Sequence, residues 1–444
     1  MQVEITVKVN GQVVREHVEQ VSGTLEDMEE KIDAMSRQVA GAALQASVDA
    51  VTPPRPPFSK EGGELRHKGY QARTLIGLNG PVTVRRAKFR CVKTGAFEYP
   101  LDRVLDLPPH EVTVSLGRRA LRLATHMSFA TLQEELCYQH EVRLSDTILD
   151  RLMQAAGGVA EQDRCTSAAA LAALPLGVIR EEHVLAKEPL ARPKRLYVSC
   201  DGVMYPTRYR QEENGRKRLI YQEMKCGTVF WQEGTKVWHK RVLSSREEPD
   251  RFGLSLWELA VRCGMLQADE VIFISDGGTW CDTVAKNHFH DATRILDWYH
   301  LSEHIWAAAR VLHGDEQTTR RWVSRCHTLL AEWSGIGLLR YLRRSRRARA
   351  GEGSSPALEA LDALIGYLEP RLAITDYVEY RQKGYVIGSG MMESTCKQLV
   401  TVRLKGSGRQ WSESGALAMA ALIGQRINHR WDAFWTSRPL HRAA

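Results

Sequence analysis

Three acidic side chains occupy positions from which phosphoryl chemistry can be done. Asp201 lies in the apolar run Arg195-Leu-Tyr-Val-Ser-Cys-Asp201-Gly202. Asp276 closes a second such run, Val271-Ile-Phe-Ile-Ser-Asp276-Gly277. Glu393 follows Gly388-Ser-Gly390, where the pattern turns helical. Hard divalent cations take oxygen ligands and keep room for water and substrate phosphate. Two carboxylates from strand ends and one from a helix suit two Mg²⁺ (or Mn²⁺) ions. Such ions activate a nucleophile and stabilise the leaving oxygen in phosphodiester cleavage or transfer. Asp-Gly is also a turn signal, so either aspartate alone reads as a turn. The combination with Glu393 tilts the reading towards chemistry.

The elements that must position these groups follow from the period of the apolar residues. Residues 196–210, 219–232 and 235–244 alternate as three successive strands joined by short polar turns. Residues 251–266 have helical spacing, 270–275 read as a fourth strand, 279–289 as a helix and 292–297 as a fifth strand. Three antiparallel strands followed by helix, strand, helix, strand is the order of the ribonuclease H-like fold. Alternation of strands with helices implies parallel pairing in that part of the sheet. The order predicts the strands of Asp201 and Asp276 as neighbours. Residues 315–380 hold no convincing strand, and 315–385 read as a helical insertion ahead of Glu393. They contain an arginine-rich run at 340–349 and a Gly/Ser/Pro break at 351–356.

The first half has a different grammar. Residues 1–20 alternate around an Asn10-Gly11 hairpin turn, 25–51 turn helical, and the prolines of 52–57 forbid helix. Residues 64–100 read as strands with Asn79-Gly80 as a second hairpin turn. Two amphipathic stretches, 128–136 and 145–153, are joined by a short connection. With Arg143 and Arg151 as the basic residues at hand, they read equally as a helix-turn-helix or as a helical hairpin that only packs. Residues 168–194 read as a linker.

Composition sets the class. The chain has 444 residues and a formal charge of +8, an excess that favours a polyanionic partner such as nucleic acid. Its nine cysteines are scattered and none forms a Cys-x-x-Cys pair, which excludes a disulfide framework and a thiolate zinc site. No apolar run approaches the ~18 residues of a membrane span, and no leader-like segment opens the chain. These features predict a reduced cytoplasmic protein without a membrane partner.

Several basic residues read as nucleic-acid contacts: Arg343, Arg344, Arg346, Arg347 and Arg349 in the insertion, and Lys397, Arg403, Lys405 and Arg409 after Glu393. Trp411 beside them reads as a base-stacking residue. Each set reads alternatively as a solvated face. His300, Glu303 and His304 match the short His-x-x-Glu-His pattern of some zinc peptidases. Nothing else points to a peptidase, so the histidines read as support for the carboxylate site.

At these residues the sequence resembles bacterial insertion-sequence transposases of the DDE type, close to the ISKra group and akin to Mutator-like transposases. The matching pieces are Val198-Ser-Cys-Asp201-Gly202, Ile274-Ser-Asp276-Gly-Gly-Thr-Trp280, Asp297-Trp-Tyr-His300, Gly388-Ser-Gly-Met-Met-Glu393-Ser394, and Arg403-Leu-Lys-Gly-Ser-Gly408 through Trp411-Ser412. The resemblance implies an Asp–Asp–Glu triad of Asp201, Asp276 and Glu393, supported by Asp297 and His300. It implies an α/β chain in which a ribonuclease H-like catalytic domain (195–314 and 386–430) carries a helical insertion (315–385). Ahead of it come an α+β N-terminal domain (1–110), a helix-turn-helix-like segment (111–165) and a linker (166–194). It implies binding of terminal inverted repeats and target DNA by a homo-oligomer, with metal-dependent strand cleavage and strand transfer. Relatives commonly carry a zinc knuckle where this chain retains only Cys91, near residues 53–63 and Thr94, so no zinc is expected. A nuclease without joining activity and a non-catalytic DNA-binding descendant are the alternatives.

Overall fold

The computed structural model describes residues 1–59, 61–175, 177–179, 194–213, 216–233, 237–349, 351 and 355–442. The chain is mixed α/β and divides into two compact units. One comprises Met1–Val159 with Asp432–Ala444, the other Ala160–Trp431. No helix among the described residues is long and apolar enough to cross a membrane.

The first unit opens with a hairpin, β1 (Gln2–Val9) and β2 (Gln12–Gln20), turned by Asn10 and Gly11 at positive φ. Helix α1 (Leu25–Asp49) follows, started by a capping box in which Thr24 and Asp27 bond reciprocally. Strands β3 (Leu65–Gly77), β4 (Gly80–Cys91) and β5 (Phe97–Glu98) form an antiparallel sheet. The helices α2 (Pro100–Val104), α3 (Val114–Ala124) and α4 (Phe129–His140) follow, and then α5 (Asp146–Ala172), of which residues up to Val159 belong to this unit. Glu141, left-handed at φ 55°, ends α4. Helix α5 is far longer than the second arm of a compact helix-turn-helix. It continues through residues 166–172, which corrects the linker expectation there. Ala and Leu are strong helix formers, and no proline interrupts them before Pro175. The remainder of that linker, 180–193, lies outside the described residues. Arg151, one of the two basic residues on α5, is paired with Glu111 at 2.9 Å.

The second unit is built on a five-stranded sheet of order β10-β9-β6-β7-β8. Strands β6 (Arg195–Glu213), β7 (Arg216–Glu233) and β8 (Val237–Ser245) form the antiparallel meander. β9 (Glu270–Ser275) lies parallel to β6, and β10 (Thr293–Leu296) parallel to β9. Helices α6 (Pro249–Arg262), α7 (Thr279–His288) and α8 (Trp298–Leu312) alternate with these strands. Side chains alternate across a strand, so the sheet has two distinct apolar faces. Leu196, Val198 and Phe273 pack with Phe252 and Leu256 of α6 and Val284 of α7. Tyr197, Ile272, Ile274 and Ile295 face the other way, onto α8 and the insertion helices.

The insertion is helical throughout its described residues. It runs through α9 (Glu316–Ala348), α10 (Pro356–Leu368), a 3₁₀ stretch (Glu369–Ile374) and α11 (Tyr377–Gln382). α9 is two helices meeting at Ser334, whose hydroxyl donates to Asp376 at 2.7 Å. Most of the 351–356 break lies outside the described residues. After the insertion come α12 (Gly390–Cys396), one π-helical turn (Lys397–Thr401), α13 (Val402–Leu404) and α14 (Glu413–Ile427). The chain closes with α15 (Trp431–Thr436) and α16 (Pro439–Arg442).

Candidate active site

Register brings the acidic groups to one level. β6 pairs with β9 as Ser199↔Ile274, so one more two-residue step sets Asp201 beside Asp276. β9 pairs with β10 as Ser275↔Leu296, and the next step sets Asp276 beside Asp297. Counted by alternation from Tyr197, Ile274 and Ile295, all three carboxylates belong to the sheet face that carries α8 and the insertion. Glu393, exposed on α12, joins them in lining a pocket of about 230 Å³, with Ser199, His300, Glu303 and Ser389 also in its wall.

Local hydrogen bonds aim two of these carboxylates. Asp201 Oδ1 accepts the Gly202 N–H at 2.6 Å, and Asp276 Oδ1 accepts that of Gly278 at 2.8 Å. Burial pushes the Asp201 carboxyl above the usual carboxylate range. The Gly202 bond opposes that rise, and the neighbouring charge of Asp276 adds to it. A cation between the two would reverse the last effect.

Asp297 is only 3% exposed, and both its oxygens are engaged. Oδ1 accepts the Tyr299 N–H at 2.8 Å and so caps α8, while Oδ2 accepts the Ser389 hydroxyl. Ser389 is the residue before α12, so Asp297 ties the start of the Glu393 helix to the sheet. His300 and His304 set their Nε2 atoms 3.3 Å apart. His304 stacks on Tyr367 at 3.8 Å, and burial, then His300, holds its pKa below the ordinary value.

Sequence reasoning missed a second set of contacts, which come from the insertion. The Tyr367 hydroxyl donates to the Asp276 carbonyl at 2.6 Å. Arg371 donates to the Gly277 carbonyl through Nε at 3.1 Å and Nη2 at 2.7 Å, and to the Tyr367 carbonyl at 2.6 Å. Gly277 sits at φ +80°, and a Cβ there would lie 2.4 Å from Arg371 Nε. Only glycine fits that turn with the guanidinium in place. Tyr367 and Arg371 lie one helical turn apart, a spacing that by itself carries no chemical signal.

The donors fit a hard cation in type, being carboxylate oxygens around a polar pocket. They are not drawn into a tight cluster. Among the described residues, the group whose ligand atoms all lie within 4.8 Å of one another is Glu161, Cys165 and Glu247. That group is able to hold a metal ion, but a guanidinium already stands in it. Arg164 pairs with Glu161 and with Glu247 at 2.7 Å.

The basic residues divide. Arg344, Arg347, Lys397 and Lys405 are exposed. Arg343 pairs with Glu369, and Arg346 with Asp362 at 2.8 Å. Arg349 is half-buried at the end of α9. Arg409 donates to the Val402 and Arg403 carbonyls, closing the turn after α13. Two expectations are corrected. Trp411 is 8% exposed and Arg403 3%, so neither presents a surface to a nucleic acid. The Trp411 indole donates to the Leu404 carbonyl at 3.1 Å, and Arg403 stacks on its ring at 4.9 Å. Burial, then Arg409, lowers the Arg403 pKa to about 10. In the first unit, Cys91 has Ser59 and Thr94 hydroxyls beside it in place of further thiols, and the Thr94 bonds lower its pKa. No protein-family model matches this chain, and no curated protein matches it.

Proposed function

We propose that this protein is a DNA transposase that cleaves DNA strands and joins them to a target. One observation carries the reading: Asp201, on β6, and Asp276, the residue just after the neighbouring parallel strand β9, line one pocket with Glu393. The strand and helix order supports a ribonuclease H-like catalytic domain interrupted by a helical insertion. In this reading Asp201, Asp276 and Glu393 hold two Mg²⁺ (or Mn²⁺) ions. Those ions, when bound, supply Lewis acidity to the attacking and leaving oxygens.

The chain's own groups do the rest. Asp297 and Ser389 set the helix that carries Glu393. Tyr367 and Arg371 hold the Asp276–Gly277 turn. Exposed cations such as Arg344, Arg347, Lys397 and Lys405 meet the phosphate backbone of terminal repeats and target. Water attacks the phosphorus at the element end, the P–O3′ bond breaks, and a 3′-hydroxyl is released. That hydroxyl then attacks a target phosphodiester in line, and one P–O bond is exchanged for another. The helices α4 and α5 contribute to end binding, and the active species is a homo-oligomer in the bacterial cytoplasm.

The test uses the full chain, the DNA flanking its reading frame, and Mg²⁺. Asp201→Asn, Asp276→Asn and Glu393→Gln each abolish nicking and leave duplex binding within about twofold of wild type, since only metal ligands change. Wild-type nicking in any one removes that carboxylate from the mechanism. Pre-cut ends supplied with target plasmid give joined product. Cleavage without joining identifies a nuclease instead.

A further inference from the structure

Strands β6 and β7 outrun the sheet they belong to. β9 pairs with β6 only from Arg195 to Ser199, and β8 pairs with β7 only from Lys225 to Glu233. The β6–β7 ladder nevertheless continues to Glu213↔Arg216, across a bulge between Pro206 and Arg210. Burial changes abruptly along it. Tyr205, Pro206 and Thr207 are buried, whereas residues 208–212 and 216–218 are all exposed. Past Thr207 the two strands form a ribbon open on both faces.

The stem of this ribbon is anchored. The Thr207 hydroxyl donates to the Ile220 carbonyl at 2.7 Å. Arg208 N–H donates to the Trp411 carbonyl at 3.0 Å, and Trp411 N–H to the Pro206 carbonyl at 3.3 Å. Gln222 donates to Glu413, which also accepts from Arg246 at 2.7 Å. The buried Trp411 is therefore bridged to the base of the ribbon at Thr207. A two-stranded ribbon without a core is marginal by itself, and this one is built out from a fixed stem.

Its chemistry is one-sided. Residues 208–218 hold five cationic side chains (Arg208, Arg210, Arg216, Lys217, Arg218) and two acidic ones. Tyr209 is 46% exposed and Tyr221 51%. Charges that merely guard a sheet edge can be of either sign. An excess of cations with two exposed tyrosines matches a polyanion that also offers apolar edges. The major groove of B-DNA admits a two-stranded ribbon.

We propose that the β6–β7 ribbon is a DNA-binding arm that engages duplex DNA flanking the cleavage point. This rests on the reading of Asp201, Asp276 and Glu393 as a DNA-cleaving site. Asp201 and Arg208 are on the same strand, and seven residues of strand span about 23 Å. That is about seven base pairs of duplex at ~3.4 Å each. The arm meets DNA from about that distance outward.

The experiment compares the wild-type chain with a variant carrying Arg208→Gln, Arg210→Gln, Arg216→Gln and Lys217→Gln. A control variant has the three arginines changed to lysine. All sites are exposed, so melting temperatures stay together. Binding to flanking duplexes in EDTA is followed against salt, and phosphate-ethylation interference maps the contacts. The glutamine variant lowers the slope of log K against log salt by about 2–4, at ~0.9 per lost phosphate contact. It also loses interference beginning about seven base pairs from the nick. The lysine control keeps the slope. A glutamine variant with wild-type slope and footprint overturns the arm while cleavage by the wild type keeps the catalytic reading. A change in oligomeric state with DNA binding intact assigns the ribbon to contacts between copies and also overturns it. A wild-type chain without affinity for duplex DNA overturns both readings.

Discussion

Arg371→Ala and Tyr367→Phe separate what the insertion does for the fold from what it does for the site. The Arg371 guanidinium sends three hydrogen bonds to two carbonyls, those of Gly277 and Tyr367. Charge-assisted bonds contribute roughly 1.5–3 kcal/mol each, and water recovers part of that at a half-buried position. A net loss of about 2–3 kcal/mol follows for Arg371→Ala, or about 4–5 °C in melting temperature for a unit of this size. Tyr367→Phe removes one neutral bond, about 1 kcal/mol. It keeps the ring stacked on His304 and under Arg371.

Both changes act on the main chain that carries Asp276, and neither residue is among those proposed to meet DNA. The effect belongs in the metal requirement. Groups that orient a ligand are worth about 10–100-fold in metal affinity. The Mg²⁺ concentration for half-maximal nicking should rise about tenfold for Tyr367→Phe and towards 100-fold for Arg371→Ala. Duplex affinity in EDTA should stay at the wild-type value, and saturating Mn²⁺ should restore most of the Tyr367→Phe rate. A lowered melting temperature with an unchanged metal requirement would refute the argument, leaving Tyr367 and Arg371 as packing residues only.

Two further outcomes concern stability. Arg164→Met strands Glu161 and Glu247 beside each other. It should cost about 3–5 kcal/mol in urea unfolding, recovered largely when both glutamates become glutamine; a cost below ~1 kcal/mol would show that the guanidinium is not what holds α5 to the Glu247 segment ahead of α6. Burial holds the pKa values of His304, His313 and His327 below their ordinary value. The unfolded chain therefore binds protons more readily, and stability present above about pH 6.5 is lost as pH falls towards the folded values. Melting temperature should drop between pH 7.5 and 5, less steeply in His327→Gln, and a flat profile would contradict the burial argument.

The sequence carried the sheet well because its strands are strongly patterned. Residues 270–275 read as a strand and are one, and the neighbouring strands of Asp201 and Asp276 follow from element order alone. What was not legible depended on contacts between distant segments. Tyr367 and Arg371 are ordinary helix residues until the fold lays them on the Asp276–Gly277 turn. Trp411 misled because a glycine-rich basic run ending in an aromatic has the same composition whether it meets bases or, as here, packs under a ribbon. The ribbon itself was hidden: alternation shows where strands run but not where their partners stop. Residues 166–172 looked like linker by their Ala-rich composition, although that composition is also what prolongs α5.

The level shared by three aspartates constrains the proposed metal arrangement. Strands lie about 4.8 Å apart, so Asp276, just past the end of the middle strand, has Asp201 on one side and Asp297 on the other. Asp297 spends both oxygens on Tyr299 and Ser389, and withdrawing either would uncap α8 or release α12. Asp201 and Asp276 are left as the sheet's candidate ligands, and a third donor must come from outside the sheet. Glu393 is exposed and lines the same pocket. A single Mg²⁺ at ~2.1 Å from each ligand needs oxygens within about 4.2 Å of one another, and these carboxylates are not gathered even to 4.8 Å. Two ions about 3.5–4 Å apart would relax that demand, because no single ion would then need all three carboxylates. The spread of the donors is thus what argues for a pair over a single ion in the proposed site; Asp201, Asp276 and Glu393 are the residues that would hold it, and the Tyr367–Arg371 grip falls on the turn that carries one of them.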